Sequence, residues 1–167
     1  MEIARAAVKI PYLACAWPAY HLAHQLVERI GVISPSKYIE PILIQRAKQS
    51  GCWDKVVAFR SPTKAQIKVL EPPVYTPQEY EAECTRIAKE QVEQNGAQLI
   101  FCSCSYNNIA FPPGARERME KALGGDIIVI TDPMKIALLT LEMMVKCKLS
   151  HSKLEYPQMA IGDIDPY

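Results

Sequence analysis

The sequence predicts one α/β domain, a three-layer sandwich whose central sheet is mainly parallel. Short apolar runs alternate along the chain with segments whose apolar residues recur at helical spacing, the pattern of strand–helix–strand units. The 167 residues, 49% of them hydrophobic, suffice for one core, in which folding buries roughly 70% of the extended chain's surface. We assign residues 1–148 to this domain and residues 149–167 to a C-terminal tail or wrapped arm.

The first predicted unit is a strand over residues 29–34 followed by a helix that ends near Gly51. Pro41 falls in the first turn of this helix, where a missing N–H costs little. A second strand is predicted over residues 55–59. The connection over residues 60–76 is long and rich in proline and has a short amphipathic piece at 67–70, which indicates a functional or covering segment.

The next helix has the clearest boundaries. Thr76-Pro77-Gln78-Glu79 combines a capping threonine, a proline at the first helical position and an acid in the first turn, and Asn95-Gly96 is a stop signal. A buried strand is predicted over residues 97–104.

The last third of the domain repeats the alternation. A loop over residues 105–114 is predicted to open a helix at about Pro113, which Gly124-Gly125 ends. A strand over residues 126–131 then leads to a helix that starts at Asp132-Pro133 and runs to about Lys146.

Composition excludes several classes of function. Lysine plus arginine outnumber aspartate plus glutamate by only 19 to 18, so a binding face for nucleic acid or anionic membrane resting on bulk charge is not expected. The most apolar stretch is interrupted by charged residues and a proline and does not resemble a membrane span. The six cysteines of a chain able to build a core without disulfides indicate reduced thiols and a cytoplasmic protein.

Candidate functional residues cluster where the predicted strands end, because ligands of open parallel sheets bind beyond the carboxyl ends of the strands. Cys104 closes a buried strand ahead of a helix whose N-terminal dipole would stabilise a thiolate acting as base or nucleophile. A packed small hydrophobe is the alternative at this position. Candidate ligand-binding residues with polar side chains are Ser34, Ser36, Ser105, Tyr106 and Asn107, for which turn formation or packing is the alternative role.

Metal and nucleotide sites receive no support. Cys102 and Cys104 are two apart on the predicted strand and would share one face, but no second ligand pair has metal spacing, so Cys102 is expected to pack in the sheet interior. His21 and His24 share a helix face without the H-E-x-x-H pattern. The glycine-rich phosphate loops and the G-x-S-x-G motif are absent from the sequence.

Five segments, in order, resemble the aspartate/glutamate/hydantoin racemase superfamily, with hydantoin racemase-like members the most similar. Gly96-Ala-Gln-Leu-Ile-Phe-Cys-Ser-Cys104-Ser105 is similar to the segment of the second cysteine in that superfamily. The four other segments resemble a helix end with an Ile-Pro step, the next helix, a strand with hydroxyl residues at its end, and the closing strand and helix: Ala4–Pro11, His21–Ala23, Gly31–Ser34 and Leu123–Pro133. Members usually carry a further α/β segment with the first cysteine before the point where this sequence begins, so the resemblance is to a partial racemase-like domain.

The resemblance implies a cofactor-independent racemase. One cysteine removes a proton from a carbon next to a carbonyl or carboxylate and another returns it on the opposite face, with Cys104 as one of these bases and Ser34 and Ser105 gripping the substrate. The substrate would be a small carboxylate or a cyclic amide. Cys15 lies past the place of the first cysteine and does not take its role. A single-cysteine decarboxylase-like enzyme and a non-catalytic binding protein with the racemase fold are the alternatives.

The last predicted helix also bears on assembly. Its apolar residues occur nearly all round the helix: Met134, Ile136, Ala137, Leu138, Leu139, Leu141, Met143, Met144 and Val145. Such a helix needs cover on more than one side. We therefore expect a homo-oligomer in which a second subunit supplies that cover.

Overall fold

A parallel sheet of four strands organises the molecule. The computed structural model describes residues 2–63 and 75–157. Its strands are β1 (Ile30–Ile33), β2 (Val56–Arg60), β3 (Leu99–Cys102) and β4 (Ile128–Ile130), which pair in the order β2-β1-β3-β4. The helices are α1 (Glu2–Ala7), α2 (Ala16–Leu26), α3 (Glu40–Gln49), α4 (Pro77–Asn95), α5 (Asn107–Ala110), α6 (Ala115–Ala122) and α7 (Pro133–Lys146). The predicted α/β class is confirmed.

The two faces of the sheet are covered by separate apolar cores. Leu99 and Phe101 of β3 point into a core shared with α2, whereas Ile100 and Cys102 point into a core shared with α4 and α6. All four β3 residues are fully buried. This explains why β3 is continuously apolar in sequence, as strands covered on both faces are.

Helix α4 has the ends that the sequence predicts. The Thr76 hydroxyl accepts from the Glu79 backbone N–H while the Glu79 carboxylate accepts from the Thr76 N–H, and Pro77 begins the helix. Gly96 ends it in the left-handed conformation at φ 62°. Both ends of the longest described helix are therefore determined locally.

Gly31 of β1 lets α4 approach the sheet closely. A Cβ built at Gly31 would lie 2.5 Å from the Gln91 Oε1 and 3.0 Å from the Ile100 Cδ1. Gln91 is fully buried and its Nε2 donates to the Val32 carbonyl at 2.9 Å. The small residue in β1 thus makes room for an amide that links helix and sheet.

Two predicted boundaries are wrong. β3 ends at Cys102, and Cys104 lies in a tight turn where its N–H donates to the Cys102 carbonyl at 3.0 Å, so the two cysteines do not share a strand face. Gly114 adopts φ 76°, which no α-helix contains, and α6 therefore starts after it rather than at Pro113. Most of the connection over 60–76, with its amphipathic piece at 67–70, lies outside the described residues.

Residues 149–157 lie against α1. Arg5 is 7% exposed, lies 5.2 Å from the ring centroids of both Trp17 and Tyr156, and donates to the Tyr156 hydroxyl. The His151 Nε2 accepts the Tyr12 backbone N–H at 2.7 Å. The described part of the segment beyond the predicted domain is thus bound to the N-terminal part of the chain, and its remainder, from residue 158, lies outside the described residues.

Helix α7 packs on α2 and leaves one side uncovered. The Asp132 carboxylate caps it by accepting the Lys135 N–H at 2.8 Å. Four large apolar side chains of α7 are more than half exposed: Leu138, Leu139, Met143 and Val145. Among the helices of the described residues, none is long and apolar enough to cross a membrane.

Replacing Gly31 with alanine should lower the free energy of unfolding by roughly 1–3 kcal/mol, because the new methyl group overpacks the contact with Gln91 and Ile100. Urea unfolding measures this. In a Gln91→Ala background the same replacement should cost less, since the nearest clashing atom is gone. Equal costs in both backgrounds would contradict the close approach described above.

The docking of residues 149–157 should weaken in acid. Burial, together with the charge of Arg5, lowers the pKa of His151 below its usual 6.5. The folded state therefore favours the neutral ring, so this stabilisation is present above pH 6.5 and is lost as the pH falls through the lower folded-state pKa. We expect wild type to lose stability relative to His151→Gln between pH 7.5 and pH 5, because the glutamine oxygen can accept the Tyr12 N–H without titrating. Urea unfolding at both pH values measures this. An equal change in unfolding free energy for the two proteins would contradict the role of His151.

Candidate functional site at the carboxyl edge of the sheet

The hydrogen-bond ladder continues past the strand ends and brings their loops together. Ser34, after β1, donates its backbone N–H to the Arg60 carbonyl at 2.8 Å, and Ser103, after β3, donates to the Ile33 carbonyl at 3.0 Å. Neighbouring strands lie about 4.8 Å apart. The residues that follow β1, β2 and β3 therefore line one edge of the sheet, as the sequence predicts.

Cys104 differs in its surroundings from Cys84 and Cys102. It is partly exposed, and no described hydrogen bond involves its Sγ. Cys102 is fully buried, and burial raises the pKa of its thiol well above the usual value. Burial likewise raises the pKa of Cys84 to about 12. Of these three thiols, Cys104 is the one that a ligand or reagent can reach.

The structure places one helical turn, α5, between Cys104 and the helix that the sequence predicts from about Pro113. The Cys104 carbonyl accepts the Asn107 N–H at 3.0 Å, and α5 is only four residues long. The longer helix α6 begins only at Ala115. A helix macrodipole is the sum of aligned peptide dipoles, so a single turn supplies little of the thiolate stabilisation expected from the sequence.

The serines after β1 are engaged in the loop itself. The Ser34 hydroxyl donates to the Ser36 carbonyl at 2.8 Å, and the Ser36 hydroxyl accepts the Tyr38 N–H at 3.1 Å. Both side chains are buried. This is the turn-forming role that the sequence left open for them, and these bonds fix the loop beside Cys104.

Three predicted residues follow Cys104 directly. Ser105 and Tyr106 are partly exposed, and Asn107 is 1% exposed. The Asn107 Oδ1 accepts a hydrogen bond from the Tyr80 hydroxyl at 2.7 Å, while its Nδ2 is buried without a hydrogen-bond partner in the described residues. Tyr106 packs its ring edge-on against Tyr80 at 6.0 Å between centroids.

A groove of about 580 Å³ runs along β4 between α6 and α7. Asn107 lines it together with Phe111, Ile130 and Thr131. Among the residues placed by the structure, the other predicted site residues do not line this groove. A larger cleft of about 880 Å³ lies between α4 and α6 and contains none of the predicted site residues.

Sequence reasoning missed the role of Tyr80. Tyr80 lies on α4 and is 2% exposed. Its hydroxyl reaches a residue 27 positions away in the chain, and no local pattern signals such a contact.

In the described residues, no three His, Cys, Asp or Glu side chains form a group suited to a metal ion.

Two solved structures are similar to this chain, whereas no family model matches its sequence. No protein-family model matches the sequence, and no curated protein matches it. The structure is similar to the crystal structure of allantoin racemase from Pseudomonas fluorescens, with a TM-score of 0.79 and 19% identity, covering 98% of this chain and 65% of that one. It is also similar to allantoin racemase from Klebsiella pneumoniae, with a TM-score of 0.72 and 20% identity, covering 95% of this chain and 61% of that one.

The chain thus spans less than two thirds of the length of either allantoin racemase, while nearly all of it is matched. At 19–20% identity the likeness concerns the fold. It agrees with the resemblance found in the order of short sequence segments, which implied a partial racemase-like α/β domain. The chain has the fold of the matched part of the allantoin racemases, a partial racemase-like α/β fold as its resemblance to the aspartate/glutamate/hydantoin racemase superfamily implied.

Proposed function

We propose that this chain is a cofactor-independent isomerase of the aspartate/glutamate/hydantoin racemase type. Its substrate is a small molecule with an acidic C–H next to a carbonyl or carboxylate, a class that includes cyclic amides such as allantoin. The observation that carries the proposal is the position of Cys104, a partly exposed cysteine at the carboxyl end of a central strand in a fold shared with two allantoin racemases.

Cys104 acts as the proton-transferring base. A thiolate removes the proton from the substrate carbon, and the electron pair moves onto the adjacent carbonyl oxygen as an enolate. A thiol that returns the proton to the opposite face gives inversion. The partial exposure of Cys104 supports this role, because Cys84 and Cys102 are buried and burial keeps their thiols protonated.

The substrate is held by the polar residues around Cys104. Ser105 and Tyr106 are partly exposed beside it, and Asn107 offers an unpartnered amide donor. Donors aimed at the carbonyl oxygen stabilise the enolate as it forms. Ser34 and Ser36 belong to the same proposal; in the structure their hydroxyls bond within the loop, so they act by shaping the wall of the site.

Deuterium exchange tests the proposal. Proton NMR in deuterium oxide would follow loss of the Cα–H signal from allantoin, substituted hydantoins, acidic amino acids and arylmalonate-like diacids. We expect exchange with inversion, and a loss of about 100-fold or more in rate for Cys104→Ser, the range that general acid–base groups contribute. Cys147→Ser is the matched control, because Cys147 is an exposed free cysteine beyond the end of α7.

Each other outcome identifies an alternative. Exchange with retained configuration, or decarboxylation of the diacid, would indicate one-base chemistry on Cys104. Absence of exchange with every compound, in a folded protein, would favour a non-catalytic binding protein. Undiminished exchange in Cys104→Ser would remove Cys104 from the mechanism.

A homo-oligomer of reduced, cytoplasmic chains is part of the proposal. The exposed apolar residues of α7 continue onto Leu22 and Leu26 of α2, which are 38% and 49% exposed. A second copy that covers this face would remove the apolar surface from water.

Light scattering after size exclusion tests the assembly. Wild type at micromolar concentration should exceed the monomer mass, and Leu138→Lys combined with Val145→Lys should return it to the monomer, because both side chains are about 60% exposed on α7. Leu154→Lys, at a leucine that is 96% exposed elsewhere, should change nothing. A monomeric wild type would contradict this part of the proposal.

A further inference from the structure

We propose that Tyr80 is a positioning residue that holds the Asn107 side-chain amide so that its Nδ2 donates to an acceptor oxygen of a ligand bound beside Cys104 at the carboxyl edge of the sheet. This inference deepens the proposed function and rests on it for the identity of the ligand. It concerns a residue of α4 that lies outside the predicted set of site residues.

The Tyr80 hydroxyl determines which way the side-chain amide of Asn107 points. Tyr80 donates its hydroxyl to the Asn107 Oδ1 at 2.7 Å, the usual length of an O–H···O hydrogen bond. Burial raises the pKa of the Tyr80 phenol far above its usual value, so the hydroxyl keeps its proton and remains a donor. The bond that the structure shows turns the amide oxygen toward Tyr80 and leaves the amide nitrogen for another partner.

Aromatic packing holds the Tyr80 ring in place. Its ring is 2% exposed and packs against three aromatic rings, those of Tyr75, Tyr106 and Phe111, at centroid separations of 6.0, 6.0 and 5.1 Å. Aromatic packing of this kind restricts the ring to one position. The hydroxyl that binds Asn107 thus comes from α4, a helix remote in sequence, and the packing of the ring holds it in place.

The amide nitrogen of Asn107, Nδ2, is buried and has no hydrogen-bond partner in the described residues. Leaving a buried donor unpaired costs about 1–3 kcal/mol, so buried amides of this kind are rare where they have no role.

Asn107 lies at the carboxyl edge of the sheet, three residues past Cys104, where the proposed function places the substrate. An amide N–H pairs with a carbonyl or carboxylate oxygen, and such an oxygen carries the developing charge in the proposed proton transfer.

Kinetics of deuterium exchange into allantoin would test the inference. We expect Tyr80→Phe to lower kcat/KM about tenfold or more at an unchanged folded fraction, and Asn107→Leu to lower it further. Tyr20→Phe is the matched control, because Tyr20 is equally buried but belongs to the core on the other face of the sheet. The double variant Tyr80→Phe/Asn107→Leu should be no slower than Asn107→Leu alone, since Tyr80 acts through the amide.

A purely structural role for Tyr80 would give a different result. The reductions in kcat/KM caused by Tyr80→Phe and by Asn107→Leu would then multiply in the double variant. Tyr20→Phe would also slow exchange as much as Tyr80→Phe does. Either result, or wild-type kinetics in Tyr80→Phe, would overturn the inference.

Nitrogen-15 NMR of the side-chain amide separates this inference from the proposed function. The Asn107 amide pair, assigned by its loss in Asn107→Asp, should shift when allantoin is added to wild type, and the shift should be lost or reduced in Tyr80→Phe. If no compound exchanges deuterium but the amide still shifts in this Tyr80-dependent way, the enzyme proposal fails and the positioning role stands. If the amide does not respond to allantoin in wild type, the inference fails whether or not exchange occurs.

Discussion

The pairing of β1 with β2 and β3 is the interaction on which the candidate site depends. The parallel ladder extends one residue beyond the strands, from Ser34 to Arg60 and from Ser103 to Ile33, and so aligns three loops at one edge. Gly31 and Gln91 hold α4 against the same central strand. Because α4 also carries Tyr80, its close approach to the sheet is what brings the phenol to Asn107.

Burial separates the cysteines into two chemical kinds. Cys84 and Cys102 lie in the core between α4 and the sheet, where the low polarity disfavours a thiolate. Cys104 is two residues past Cys102, but the turn after β3 takes it out of that core and leaves it partly exposed. A change of two positions in the chain therefore separates an inert thiol from a reachable one.

The candidate site combines a locally formed part with one formed by distant elements. The loop after β1 is closed by short-range bonds between Ser34, Ser36 and Tyr38. The part around Asn107 depends on α4, on the loop before α6 and on β4. Local loops of this kind set the shape of a site, whereas contacts between remote elements orient the groups that meet a ligand.

The sequence by itself determined the strand–helix alternation, the two ends of α4 and the placing of Ser105 and Asn107 beyond a buried strand, because periodicity, capping residues and turn residues act over a few positions. Only the tertiary structure decided that Cys104 leaves the strand, that the helix after it is one turn long and that Tyr80 binds Asn107. These features follow from packing between residues far apart in the chain, such as the aromatic cluster around Tyr80. Local propensity carries no information about such contacts, since their energy arises only when the sheet has assembled and α4 has docked on it.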